Sequence, residues 1–142
     1  MSSPFTGVNH AGFVVSDLAA ASAFFVDVLG FDALPRKGAT SDPDGRMTDW
    51  FGVDGGAASR WAFFFLGGSV IELMEWSARD RNETSPRNSD VGGRHLALST
   101  ANLDEAVARI AAQPGVTVRE KTETGFIYVA TPFGLEIQLM PS

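Results

Sequence analysis

The sequence predicts an α+β fold made of two βαβββ units in tandem, and three observations lead there. The run His10-Ala11-Gly12-Phe13-Val14-Val15-Ser16 is echoed by His95-Leu96-Ala97-Leu98-Ser99-Thr100, an offset of 85 residues. At that offset Asp17, Leu18, Ala21 and Gly30 meet Asn102, Leu103, Ala106 and Gly115. The ends of the halves also correspond: Gly68-Ser69-Val70-Ile71-Glu72-Leu73-Met74 lies over Gly134-Leu135-Glu136-Ile137-Gln138-Leu139-Met140, which pairs Glu72 with Gln138.

The elements follow in order. Val8 to Ser16 reads as a strand, after which Asp17 offers an N-cap carboxylate to the free N–H groups of a first helical turn. Leu18, Ala21, Phe25, Val28 and Leu29 recur at helical spacing, and Gly30 is a C′ stop. Phe31 to Arg36 is a second strand. Lys37 to Ser59 is rich in Gly, Asp and Ser, carries the turn Asp42-Pro43-Asp44-Gly45, and reads as inserted loop. Arg60 to Leu66 and Ser69 to Trp76 are strands joined at Gly67-Gly68, a hairpin signature. Residues 77–92 form a polar linker. In the second half Arg94 to Thr100 is a strand, and Asn102 with Glu105 makes a capping-box start. Leu103, Val107, Ile110 and Ala111 supply the apolar stripe of a helix ended by Gly115. Val116 to Glu120, Phe126 to Ala130 and Leu135 to Met140 complete the set. One domain over 1–142 is expected, with module 1 at about 5–76 and module 2 at about 93–142.

Composition narrows the function classes. A chain of 142 residues buries roughly 68–70% of its unfolded surface without staples. It has no cysteine, so neither a disulfide framework nor a thiolate metal site is open to it. A net charge of −6 with no basic stripe argues against nucleic acid. The longest apolar run, Trp61 to Leu66, is too short to cross a bilayer, and no signal peptide is visible, so a soluble cytoplasmic protein is expected.

Strand alternation sets the candidate site. His10 shares a face with Gly12 and Val14, Glu72 with Met74, His95 with Ala97 and Ser99, and Gln138 with Glu136 and Met140. The opposite faces are apolar and suit packing beneath the two helices. Each polar residue alone is as well explained by solvent or a local hydrogen bond. Taken together, the chain's two histidines occupy equivalent repeat positions, as do Glu72 and Gln138. Two imidazoles, a carboxylate and an amide oxygen suit a divalent ion with open positions.

His10 to Leu18 with Phe24-Phe25-x-x-Val28-Leu29-Gly30-Phe31, Val70 to Leu73, Arg94 to Ser99 and Thr131-Pro132-Phe133-Gly134-x-x-x-Gln138-Leu139 resemble the vicinal oxygen chelate superfamily. That superfamily includes glyoxalase I, methylmalonyl-CoA epimerase, extradiol dioxygenases, fosfomycin-resistance enzymes and bleomycin-binding proteins. The resemblance implies paired βαβββ modules curling into a U-shaped, partly open β-barrel with helices outside, often as a homodimer. It implies one divalent metal ion (Zn, Ni, Co, Mn or Fe) on His10, Glu72, His95 and Gln138; the family's base is usually the last-strand Glu, or one of two, which leaves Glu72 as the best available catalytic base here. Gln138 is a departure, since the family's last strand typically carries Glu there and an amide cannot take a proton. The expected function is a metal-dependent glyoxalase-like isomerase, lyase or epimerase on a small carbonyl substrate. The alternatives are a bleomycin-resistance-type binding protein, an extradiol-dioxygenase-like enzyme, or a catalytically retired scaffold. Glu136 is a further candidate for the base, and Arg46, Asp49, Trp50, Arg60, Arg79, Arg81 and Arg87 are candidate substrate contacts.

Overall fold

The computed structural model describes residues 2–142. Module 1 contains β1 (Ala11–Val14), α1 (Leu18–Ala23), β2 (Asp32–Thr40), α2 (Met47–Phe51), β3 (Ala58–Leu66) and β4 (Ser69–Ser77). Module 2 contains β5 (His95–Thr100), α3 (Leu103–Ala111), β6 (Thr117–Val118), β7 (Ile127–Ala130) and β8 (Glu136–Pro141). Each module forms one four-stranded sheet, in the orders β1-β4-β3-β2 and β5-β8-β7-β6, and no closed barrel forms. The first and last strands of each module pair in parallel; the other ladders are antiparallel. The repeat is therefore exact in topology. Gly12 stands beside Glu72 in the first sheet, and Ala97 beside Gln138 in the second.

Both predicted caps form. Asp17 Oδ1 accepts from Ala20 N and Asn102 Oδ1 from Glu105 N, so each helix satisfies an orphan donor of its first turn. Gly30 and Gly115 leave the helices at φ 82° and 76°, the left-handed region that favours glycine. The helical stretch after β1 is less regular than its periodicity predicts: Phe24–Val28 is a π-helical turn continuing α1. Leu29 N donates to Phe24 O across it, and the wider turn lets Phe24, Phe25 and Val28 all reach the core.

The Lys37–Ser59 segment is more ordered than its composition suggests. Lys37 to Thr40 prolongs β2 against β3, and a short helix, α2, follows. Its anchor is Met47, with no exposed surface, helped by the buried Ala57. Two apolar residues among many polar ones suffice to pin it, which window composition does not register. β1 and β6 are shorter than expected. Val8 is 91% exposed and lies outside the ladder, and only Thr117 and Val118 pair within the expected Val116–Glu120 strand.

The apolar faces of the two sheets do not make separate cores. Phe13, Val15, Ile71, Leu73 and Phe64 join Ile137, Leu139, Val129 and Ile110 in one cluster spanning both modules. Phe24 meets Phe133 edge-on across the boundary, with ring centroids 5.5 Å apart. Ser16 N donates to Phe133 O, and Arg94 Nη2 donates to Val14 O at 2.8 Å and Gly134 O at 3.3 Å, so backbone and side chain pin the modules together. Among the described residues no helix is long and apolar enough to cross a membrane.

Two stability predictions follow from these contacts. Leu73 is wholly buried, and Leu73→Ala is expected to lower unfolding free energy by about 2–5 kcal/mol in a denaturant titration. Glu75 accepts from Leu18 N at 3.0 Å and is paired with Arg60, whose guanidinium, with that backbone bond, holds its carboxyl below the ordinary value. A depressed folded-state value adds stability above the unfolded-state value and loses it as pH falls through the folded one. Glu75→Gln is therefore expected to cost about 1–2 kcal/mol at pH 7, and the gap to wild type should close below about pH 4.

Candidate functional site

In the first sheet β1 and β4 carry His10 and Glu72 to the same place. His10 sits immediately before β1, and its Nε2 lies 3.6 Å from Glu72 Oε1, with the two side chains 30% and 17% exposed. That distance is too long for a hydrogen bond. It is close to the roughly 3.4 Å that separates two ligands each about 2.0–2.2 Å from one tetrahedral ion. His10 Nδ1 lies 2.7 Å from Asn9 Oδ1, a contact that orients the ring with Nε2 toward Glu72. Gly12 makes room for the carboxylate, since a Cβ there would stand 3.4 Å from Glu72 Oε1 and 3.2 Å from Met74 Cε.

The second sheet repeats the plan with altered chemistry. His95 opens β5, is exposed, and aligns with Glu136, while Gln138 lies one pleat further along β8. Glu136 is held by Arg119 in an ion pair, and among the described residues its other oxygen is buried without a partner. Each histidine also packs edge-on against an aromatic ring: His10 on Phe63 at 5.0 Å and His95 on Tyr128 at 5.2 Å. Phe63 is the cross-strand neighbour of Glu72 and Tyr128 that of Gln138. The repeated unit is therefore a histidine, an aromatic ring and a Glu or Gln. Phe63, Tyr128 and Asn9 were missed by the sequence reading. Equivalence of Phe63 and Tyr128 between the halves was the available signal, hidden among eleven phenylalanines.

One chain brings the residues together in pairs. His10 and Glu72 share one sheet, His95 and Gln138 the other, each on the face turned away from the common core. Among the described residues no three His, Cys, Asp or Glu side chains gather closely enough to hold one ion. Several candidate substrate contacts are held by carboxylates elsewhere: Arg46 by Asp42, Arg60 by Glu75, Arg79 by Asp54, Arg81 by Glu83 and Arg87 by Asp90. Trp50 is half exposed and stacks under Arg46.

A family model described as the glyoxalase/bleomycin resistance protein/dioxygenase superfamily matches residues 9–131. The chain belongs to this superfamily. A 2-epi-5-epi-valiolone epimerase from an Actinomyces species is 36% identical, over 94% of this chain and 78% of its own length. Among solved structures of the superfamily's fold, a glyoxalase family protein from Bacillus cereus superposes with a TM-score of 0.77 at 19% identity, covering 98% of this chain and 95% of the other. The fosfomycin resistance protein FosX from Listeria monocytogenes, solved with Mn(II) and sulfate, gives 0.63 at 20% identity, covering 97% and 93%. The two structural likenesses, spanning nearly all of both chains, establish the fold for this superfamily member.

Proposed function

We propose that the protein is a divalent-metal-dependent epimerase that inverts a stereocentre beside the carbonyl of a small hydroxyketone. The ion is held by His10 and Glu72 of one protomer and by His95 and Gln138 of a second copy. The observation that carries this reading is the His10–Glu72 pair, with Nε2 and Oε1 at 3.6 Å and Nδ1 2.7 Å from Asn9 Oδ1 on the other side of the ring. Its counterpart points outward from the other sheet, so a symmetric dimer that faces one chain's first sheet with its partner's second completes two equivalent sites. The 36% identity with an epimerase of a ketone over 94% of the chain supports the reaction class.

Bound there, the ion supplies Lewis-acid polarisation of the substrate's carbonyl and hydroxyl oxygens. Glu72 takes the proton from the carbon beside the carbonyl, whose bonding pair moves toward the carbonyl oxygen. Among the described residues no lysine or arginine pairs with Glu72, whereas Glu75 and Glu136 are locked to Arg60 and Arg119. Gln138 binds through its amide oxygen and moves no proton. Return of a proton to the opposite side needs a donor on the facing sheet, and the hydroxyl of Tyr128, beside Gln138 and His95, fills that role.

Two experiments test this. His10→Ala and His95→Ala should each remove most bound Mn(II), measured by metal analysis. When the two variants are unfolded and refolded together, random pairing makes about half the dimers mixed, each with one intact site, so about a quarter of wild-type binding should return. No recovery, in the face of demonstrated mixed dimers, would place the whole site in one chain. With 2-epi-5-epi-valiolone as trial substrate in deuterated water, Glu72→Gln should slow isotope exchange beside the carbonyl about 10²–10⁴-fold. Tyr128→Phe should retain exchange while losing inverted product. Equal loss of both in both variants would count against the two roles.

A further inference from the structure

β2 is the edge strand of the first sheet, and its pairing with β3 slips in the middle. Ala33 aligns with Phe64 and Lys37 with Ala62, so Leu34-Pro35-Arg36 stands opposite Phe63 alone. Pro35 has no N–H to give to a ladder, which an irregular edge position tolerates. Bulges of this kind bend the strand and re-aim a side chain. Here the side chain is Arg36, whose guanidinium lies over the Phe63 ring, 4.2 Å from its centroid. Phe63 is 2% exposed although it sits on the outward face, because Arg36, His10 and Trp61 cover it. The guanidinium is thereby held within about 9 Å of the His10 ring.

Arg36 is exposed, and its guanidinium has no hydrogen-bond partner within the protein among the described residues. Seven arginines of the chain pair with a carboxylate, and Arg94 donates to two backbone carbonyls. Among the described residues Arg36 makes neither an ion pair nor a hydrogen bond. A stacked guanidinium keeps the donors along its edge free, in a planar fork that matches the oxygens of phosphate or carboxylate. A divalent ion with Glu72 as its one anionic ligand also leaves the pocket positive, and the chain's net charge of −6 is screened beyond about 8 Å at physiological salt. We propose that Arg36 is a specificity-determining residue that binds an oxyanion, phosphate or carboxylate, carried by the hydroxyketone substrate away from its metal-chelating oxygens.

This deepens the metal-site reading and rests on it for the position of the ketone, so the test reads the two separately. Mn(II) affinity is measured first, in wild type, Arg36→Gln and Arg36→Lys, and should be the same in all three. Calorimetric titrations of the Mn(II)-loaded and metal-free proteins then compare dihydroxyacetone with dihydroxyacetone phosphate and with 5-hydroxy-4-oxopentanoate, whose carboxylate lies two methylenes from the hydroxyketone. In the loaded wild type the better of the two anions should bind at least tenfold more tightly than dihydroxyacetone, and which one it is identifies the oxyanion. Arg36→Gln should abolish that advantage while leaving dihydroxyacetone unchanged, and Arg36→Lys should keep part of it. Anions that bind the wild type no better than dihydroxyacetone, or an advantage that survives Arg36→Gln, would overturn the assignment. Loss of Mn(II) binding in all forms would instead strike the metal site, and the metal-free titrations would still report on Arg36.

Discussion

The structure depends on one constraint: a strand has two faces, and in both sheets the apolar face is spent on a single core shared between the modules. Leu73 and Ile71 from β4 and Ile137 and Leu139 from β8 enter that core. Alternation then obliges Glu72 and Gln138 to point the other way. The same rule applied to β1 and β5 puts His10 and His95 on the outward faces. The polar half-sites are thus a consequence of packing, and Arg94 and the Phe24–Phe133 contact hold the two sheets in the relation that packing sets.

Duplication explains why the half-sites look alike, and their differences bear on chemistry. In the first sheet the carboxylate pairs with no lysine or arginine among the described residues, and its histidine is oriented by Asn9. In the second the position is an amide, the nearby carboxylate is neutralised by Arg119, and the aromatic neighbour bears a hydroxyl. The proposed reaction assigns to the first half the removal of a proton from carbon. It assigns to the second half an amide ligand that moves no proton and a hydroxyl as donor. An acid–base division of this sort is what inversion at one centre requires, since removal and return come from opposite sides.

The first module also carries the chain's irregular features. The bulge at Leu34-Pro35-Arg36 and the pinned insertion around Met47 both lie there, and the bulge stands opposite Phe63, the cross-strand neighbour of Glu72. The second module is shorter and plainer.

The sequence by itself determined the two βαβββ units, their boundaries to within a few residues at most ends, both helix caps, and the face on which His10, Glu72, Glu136, His95 and Gln138 stand. These are local matters, governed by periodicities and capping chemistry that act over a few residues. Tertiary structure decided the rest. That Phe63 and Tyr128 back the histidines, and that Arg36 turns onto Phe63, depends on strand register and a bulge between segments about thirty residues apart. That Lys37–Ser59 is anchored rather than loose depends on a cavity for Met47 that only the folded module supplies. That the four candidate ligand positions fall into two pairs within one chain depends on how two whole sheets pack, a relation carried by contacts such as Ser16 with Phe133 and Arg94 with Val14. Residues far apart in sequence meet there through a shared core, and no local pattern encodes that meeting.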